Sequence, residues 1–329
     1  MEHFNIPAFG NPHKDCGLIE LQSTSDGRFS TTQSGIEGIF SSGDQKMELV
    51  VRGGETLALV KSSLGYPAYY PVQPDASPLP LEAVLMDLDG TTVKSEEFWI
   101  SIIEMSVKSL LGNPAFTLEQ ADIPFVSGHS VSEHLDYCIA KYCPDKTLPE
   151  ARNFYYEHTH REMYAILHEG KQGAFTPTPG VKPFLLELKK RGVKLGLVTS
   201  GLYEKAYPEI LSAFRTLDMG DPAEFYDSII TAGNPLGRGA PGTLGELEAK
   251  PHPWLYAESA TVGLGIPFER RGSVIGIEDS GAGVCAVRLA GYYTVGIGGG
   301  NILQSGTRAF CNRYCENFEE ILAAIEERT

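Results

Sequence analysis

The stretch VLMDLDGTT at residues 84–92 joins an apolar run to two carboxylates, Asp87 and Asp89, spaced two residues apart and followed by a glycine and two hydroxyls. A parallel strand buried on both faces is nearly continuous in apolar residues, and in open α/β sheets ligands bind beyond the carboxyl ends of the strands. Alternation along a strand sends Asp87 and Asp89 to the same side, and a loop starting at Gly90 can fold back over both. Carboxylates this close repel one another, so the site calls for a divalent cation or a shared proton. A calcium-binding EF-hand loop is excluded by its own count: starting from Asp87, the position that needs glycine is Thr92 and the position that needs glutamate is Phe98.

Two further strand ends carry polar groups. Residues 194–198 (KLGLV) run into Thr199, Ser200 and Gly201, and residues 273–277 run into Glu278, Asp279 and Ser280. Lys250 stands just before a Pro-x-Pro helix start. Together these residues form an inventory for handling a phosphoryl group. Carboxylates hold Mg²⁺, a hydroxyl and exposed backbone N–H groups bind phosphate oxygens, and a lysine offsets their charge. One aspartate can attack phosphorus and so split a difficult hydrolysis into two easier steps.

The elements that position these groups follow the chain. Residues 1–80 read as a small β-rich module. Short runs at 17–22, 28–32, 47–51 and 56–61 are separated by the turn pairs Asp26-Gly27, Ser42-Gly43 and Gly53-Gly54, and four prolines between Pro71 and Pro80 make a stiff linker. This module carries no recognisable chemistry, and packing or oligomerisation is its expected role. Residues 95–112 turn helical, with Ser95 as N-cap, acidic residues in the first turn and Phe98, Ile102, Met105, Val107 and Leu111 as the apolar face. Helices at 131–142 and 148–168 extend this into an all-helical insert over 94–177. His158 and His160 lie in it two residues apart, which points them to different sides of a helix and makes them solvated residues rather than a metal pair. From 178 onward helix and strand alternate: helix 180–191, strand 194–198, strand 228–231, helix 253–263, strand 273–277, helix 283–290, strand 293–296 and a closing helix 317–328. Alternating units of this kind give a doubly wound parallel sheet with helices on both faces. The glycine run GIGGGN at 296–301 opens no clear helix and is not a dinucleotide fingerprint.

Composition bounds the function. The chain has 329 residues, 42% of them hydrophobic and 21% charged, as in globular proteins, and its net charge of -15 argues against a nucleic-acid or anionic-membrane surface. A phosphorylated substrate must therefore be drawn in by local cations. No stretch approaches a membrane span, and the first twenty residues lack the apolar core of a signal peptide, so a cytoplasmic location is expected. The six cysteines form no paired knuckles. Cys311 and Cys315 could share a helix face but lack a second ligand pair.

With these residues in order, the chain resembles the haloacid dehalogenase superfamily in its large phosphatase and phosphomutase branch. The motifs are DLDGT at 87–91, VTSG at 198–201, AKPHP at 249–253 and GIEDSGAG at 276–283, with FTPTPGV at 175–181 resembling the return from a helical cap to the core. The resemblance runs from Leu81 to the end. It implies a Rossmann-like catalytic core at 81–93 plus 178–329, an inserted cap at 94–177 and an N-terminal module outside the family pattern. It also implies a Mg²⁺-dependent phosphomonoester hydrolase acting on a small phosphorylated metabolite. Asp87 would be the nucleophile, Asp89 the acid and then base, and Thr199, Ser200, Gly201 and Lys250 the phosphoryl-binding groups. Asp87, Asp279 and the Asp89 carbonyl would hold Mg²⁺, with Glu278 assisting directly or through water.

Three departures stand out. Lys94 replaces an aspartate frequent in the family, the segment between Ala232 and Ala249 is long, and it adds Arg238. A β-phosphoglucomutase-like mutase shares the same core but needs cations on its cap. Aligned on Gly128, this chain offers Val131 where such mutases carry arginine and Trp99 where they carry histidine, and only His160 and Arg161 fall near a distal phosphate-binding position. A phospho-accepting receiver domain places its acidic pair before the accepting aspartate and lacks the insert. A dehalogenase would leave Asp89 no oxygen to protonate.

Overall fold

The computed structural model describes residues 2–61, 67–126, 131–232 and 248–328. Its chain divides into two compact units, residues 1–92 with 178–206 and 221–329, and residues 93–177 with 207–220. Segment 233–247, including Arg238, and Gly128 lie outside the described residues.

The first unit begins with an antiparallel five-stranded sheet in chain order: β1 (Ile19–Glu20), β2 (Ile36–Ser41), β3 (Met47–Arg52), β4 (Glu55–Val60) and β5 (Ala68–Pro71). The expected run at 28–32 is not a strand. Its polar residues make turns, with one isolated bridge between Ser23 and Ser30, and the strand lies instead at β2, where Gly38 marks a register shift against β3. A Cβ at Gly38 would stand 2.8 Å from the Phe40 ring, so a glycine that reads as a strand breaker is what lets the bulge form.

A six-stranded, all-parallel sheet follows. Its members are β6 (Ala83–Asp87), β9 (Lys194–Thr199), β10 (Ser228–Thr231), β11 (Val274–Glu278), β12 (Tyr293–Ile297) and β13 (Arg313–Cys315), in the spatial order β10-β9-β6-β11-β12-β13. Helices flank it: α4 (Val181–Lys190), α7 (Trp254–Glu258), α8 (Gly281–Leu289) and α9 (Phe318–Arg328), with a short α6 at Pro222–Phe225. Ala83 and Leu85 face a cluster that includes Leu255, Tyr256, Ala286 and Val287 from α7 and α8. The alternate residues Val84 and Met86 are equally buried and need cover from the other face, where α4 and α9 pair through stacked Phe184 and Phe318. The doubly wound arrangement expected from the alternating pattern is present.

The N-terminal sheet is docked on this core. Phe40, Leu49, Val51 and Val60 share one hydrophobic cluster with Cys285 and Leu289 of α8 and with Phe310. Helix α8 is therefore enclosed by two sheets, which accounts for a sequence that is apolar on every side. Its lone charge, Arg288, is 3% exposed and is satisfied from two places: Nη1 lies 2.6 Å from Asp75 of the proline-rich segment, and Nη2 donates to the Ala8 carbonyl at 2.7 Å. The linker is tied down along its length, with Leu79 N–H donating to the Gly272 carbonyl.

The second unit holds α1 (Glu96–Leu111), α2 (Val131–Tyr142) and α3 (Leu148–His168), with a two-stranded ribbon of β7 (Val93–Lys94) and β8 (Thr176–Pro177) at its ends. Ser95 occupies the N-cap of α1 without a side-chain cap bond. Met105 and Leu111 are half-buried rather than core, and Ile103 and Leu110 take their places. Helix α5 (Tyr203–Leu217), unexpected because Pro208 interrupts its pattern, starts in the first unit and continues in the second. Asp122 is buried among Tyr137, Lys141 and Tyr142, each within hydrogen-bond reach. Among the described residues no helix is long and apolar enough to cross a membrane.

Candidate active site

The register of the parallel sheet brings the three polar strand ends side by side. Asp87 of β6 is level with Val198 of β9, and Met86 is level with Ile277 of β11, so Thr199 and Glu278 flank Asp87. Beyond β6 the chain reverses at Gly90, whose φ is +83°. A Cβ there would lie 2.0 Å from Asp279 Oδ2, so both the left-handed backbone and the close approach require glycine. The two hydroxyls of the motif hold this turn. Thr92 Oγ1 donates to the Asp87 carbonyl at 2.5 Å, and Thr91 Oγ1 donates to Asp279 Oδ1 at 3.3 Å.

Lys250 enters at the centre. Its Nζ lies 2.5 Å from Asp87 Oδ1 and 2.6 Å from Glu278 Oε1, and donates to the Val198 carbonyl at 3.1 Å. Its backbone N–H donates to Ser200 Oγ at 3.1 Å, which joins the VTSG and AKPHP motifs directly. Thr199 Oγ1 accepts from Gly201 N–H at 2.9 Å and reaches Asp89 Oδ2 at 3.5 Å. Glu278, fully buried, also accepts from Tyr256 O–H at 2.6 Å and from Ser280 Oγ at 3.2 Å, and Ser280 caps α8 by accepting from Gly283 N–H. Asp87, Asp89, Thr199, Ser200, Gly201, Lys250, Glu278 and Asp279 thus lie together at this edge, with Asp89 and Ser200 exposed.

The electrostatics follow from burial. Asp87 is 5% exposed, and its carboxyl is pushed well above the usual carboxylate range by burial first and by the neighbouring Glu278 second, with Lys250 pulling the other way. Burial pulls the Lys250 ammonium down, but the Asp87 and Glu278 carboxylates outweigh this and hold it above the ordinary lysine value. Lys250 is therefore charged, and three close carboxylates still exceed its one positive charge.

That excess fits a hard cation. Asp87, Glu278 and Asp279 each offer an oxygen within 4.8 Å of the others, the one such cluster among the described residues. Gly90 and Gly300 line Asp279 at distances where any Cβ would intrude, 2.0 and 2.3 Å from its Oδ2. An all-oxygen donor set of this kind suits magnesium or calcium rather than zinc.

Some contributors were not legible. The glycine run after β12 has a role at this edge: Gly300 backs Asp279, and Asn301 Oδ1 accepts from Gly281 N–H at 2.7 Å. Its signal was position, since β12 ends at the same edge as β11. Tyr256, which donates to Glu278, carried no signal at all. Other expectations need correction. Cys311 and Cys315 share no helix, because Cys311 follows a short turn and Cys315 lies in β13. His158 is half-buried and bonded to Ser109 at 2.8 Å rather than solvated. In the second unit Trp99 packs on Phe98 and Phe175, and His160 and Arg161 are exposed on α3.

Residues 84–221 match the haloacid dehalogenase-like hydrolase family. The match covers less than half of the chain, and over that stretch the chain is similar to this family. Solved structures share the fold. A hydrolase of the superfamily from Deinococcus radiodurans, with bound phosphate and sodium, is 24% identical, covers 76% of this chain and 96% of its own, and gives a TM-score of 0.50. A protein from Thermotoga maritima assigned as a beta-phosphoglucomutase is 23% identical over 75% of this chain and 99% of its own, with a TM-score of 0.53. CbbY from Rhodobacter sphaeroides, in complex with phosphate, is 21% identical over 75% and 99%, with a TM-score of 0.50. No curated protein matches the chain.

Proposed function

We propose that this chain is a Mg²⁺-dependent phosphomonoester hydrolase working through an aspartyl phosphate on Asp87. The observation that carries the reading is the lysine bridge: one ammonium held against Asp87 and Glu278 beside a third buried carboxylate. Asp87, Asp279 and the Asp89 carbonyl would hold Mg²⁺, with Glu278 in support. When bound, the ion offsets the charge of the carboxylates and of the transferring phosphoryl oxygens.

The residues divide the remaining work. An Asp87 carboxylate oxygen forms the bond to phosphorus as the ester P–O bond breaks, and the departing oxygen takes the proton of Asp89. Asp89 then removes a proton from water, whose oxygen attacks phosphorus; orthophosphate leaves and Asp87 regains its carboxylate. Thr199 Oγ1 and Lys250 Nζ hold the phosphoryl oxygens, and Ser200 fixes the Lys250 backbone. The substrate is proposed as a small phosphorylated metabolite, a class in keeping with the phosphate and the xylulose bisphosphate bound in CbbY structures. Residues 94–177 are proposed as the cap and a cytoplasmic location is retained. Phosphoryl transfer to a second sugar hydroxyl would need distal cations, and hydrolysis is favoured over it.

Acid-quenched labelling with a ³²P-phosphorylated substrate tests the assignment. Wild type and Asp89→Asn should trap label and Asp87→Asn none, with orthophosphate the product of wild-type turnover. Wild-type label on Asp87→Asn would refute the nucleophile.

A further inference from the structure

Lys250 stands four residues before α7, which starts at Trp254. Two side chains that follow it, His252 and Trp254, are anchored on the same atom of the N-terminal sheet. Tyr70, on strand β5, has its hydroxyl 2.8 Å from His252 Nδ1 and 2.8 Å from Trp254 Nε1. Indole N–H can only donate, so the Tyr70 oxygen accepts from Trp254 and its own hydrogen is available to His252. His252 is 1% exposed and lies edge-on to the Tyr70 ring at 5.8 Å. On the far side of Lys250 the chain is held by Ser200. The lysine is thus clamped between the β9 loop and a strand 182 residues away from His252 in sequence.

We propose that Tyr70 is a positioning residue for Lys250, which makes the N-terminal module a working part of the active site rather than an appended domain. The inference deepens the phosphatase reading and rests on it for its kinetic arm. Lys250 must satisfy two carboxylates at 2.5 and 2.6 Å, and such contacts tolerate little displacement of the backbone two residues before His252. Tyr70→Phe keeps the ring and its packing but removes the one oxygen that both anchors share. Buried groups deprived of their partner shift to find another.

The test uses the full chain as wild type, Tyr70→Phe and Asp75→Asn. Asp75→Asn weakens the same module where it meets Arg288, away from the lysine segment. Two quantities are read: kcat and KM on p-nitrophenyl phosphate, and the extent of Lys250 acylation by limiting acetic anhydride, measured by peptide mass spectrometry against exposed Lys190. Tyr70→Phe should lower kcat about tenfold with a smaller change in KM, and should raise Lys250 acylation several-fold from a side chain that is 6% exposed. Asp75→Asn should leave both at wild-type values even where it lowers thermal stability. Trp254→Phe, which removes one anchor only, should give a weaker form of the Tyr70→Phe effect. Unchanged Lys250 acylation in Tyr70→Phe, or an equal rise in Asp75→Asn, overturns the proposal. If wild type hydrolyses no phosphate ester, the phosphatase reading falls and the acylation arm still decides the positioning role.

Discussion

Replacing Lys250 with methionine tests the electrostatic account of the site most directly. The ammonium is enclosed, with its side chain 6% exposed, and it pairs with two carboxylates that are 7% and 0% exposed. Removing one partner of a buried ionic group leaves the other uncompensated and costs about 3–5 kcal/mol. For a chain of this size that corresponds to a fall of roughly 4–7 °C in Tm. The loss should depend on pH in a definite direction. Burial and Glu278 already hold the Asp87 carboxyl well above its ordinary value while Lys250 pulls it down, so the variant raises it further. A carboxyl with a raised folded-state pKa contributes stability that is complete below its unfolded value, near 4, and is lost as pH rises toward the folded value. Within that window each pH unit costs about 1.4 kcal/mol per proton retained. Calorimetry in chelator at about pH 5 and about pH 7.5 should therefore show a difference between wild type and Lys250→Met that widens at the higher pH. A difference equal at both, or larger in acid, would refute the view that Lys250 compensates a buried carboxylate cluster.

Two further outcomes follow from the same geometry. Exhaustive chelation should abolish turnover, and adding Mg²⁺ should restore it and raise Tm, because a cation that binds only the folded carboxylate cluster stabilises it by mass action; full activity in chelator would sink the metal assignment. Gly90→Ala should cost about 1–2 kcal/mol from left-handed strain alone and lose most activity by displacing Asp279, whereas Gly53→Ala, also at positive φ but with nothing near its Cβ, should show the strain and keep its activity. Equal activity in the two alanine variants would remove the steric part of the argument.

The parallel-sheet core was legible because its signals are local. An apolar run that stops at Asp87 says both where β6 lies and where it ends, and the same holds for Thr199 and Glu278. Helices α2 and α3 were legible to the residue, since apolar spacing and the Thr147 capping box mark their limits. What failed were elements whose cause lies elsewhere in the chain. Strand β2 is interrupted by Gly38, which its neighbour tolerates, and α5 carries Pro208 inside an otherwise regular pattern. Strand β13 has only three residues and exists by pairing with β12. The role of Gly300 was hidden for a related reason. A glycine run opening no helix is a poor anion cradle, and its purpose is visible only when β12 is set beside β11 and the backbone of residue 300 meets Asp279.

The N-terminal module shows the limit most clearly, and the reason is physical. Its runs are rich in apolar and β-branched residues, and β3 is buried at five successive positions, so composition says that the sheet is covered but not by what. The cover is α8, a helix apolar all round because it is enclosed by the module on one side and the parallel sheet on the other. Each pattern alone reads as incomplete: an apolar sheet lacking a partner, and a helix with more apolar surface than one sheet can cover. Taken together, they complement each other, and Arg288 confirms the fit, since a charge buried in the last turn of α8 is tolerable only where Asp75 and the Ala8 carbonyl arrive to meet it. An all-apolar helix that carries one arginine directly after a catalytic strand is therefore a signal in its own right that a second layer, supplied by the same chain, must close over the core.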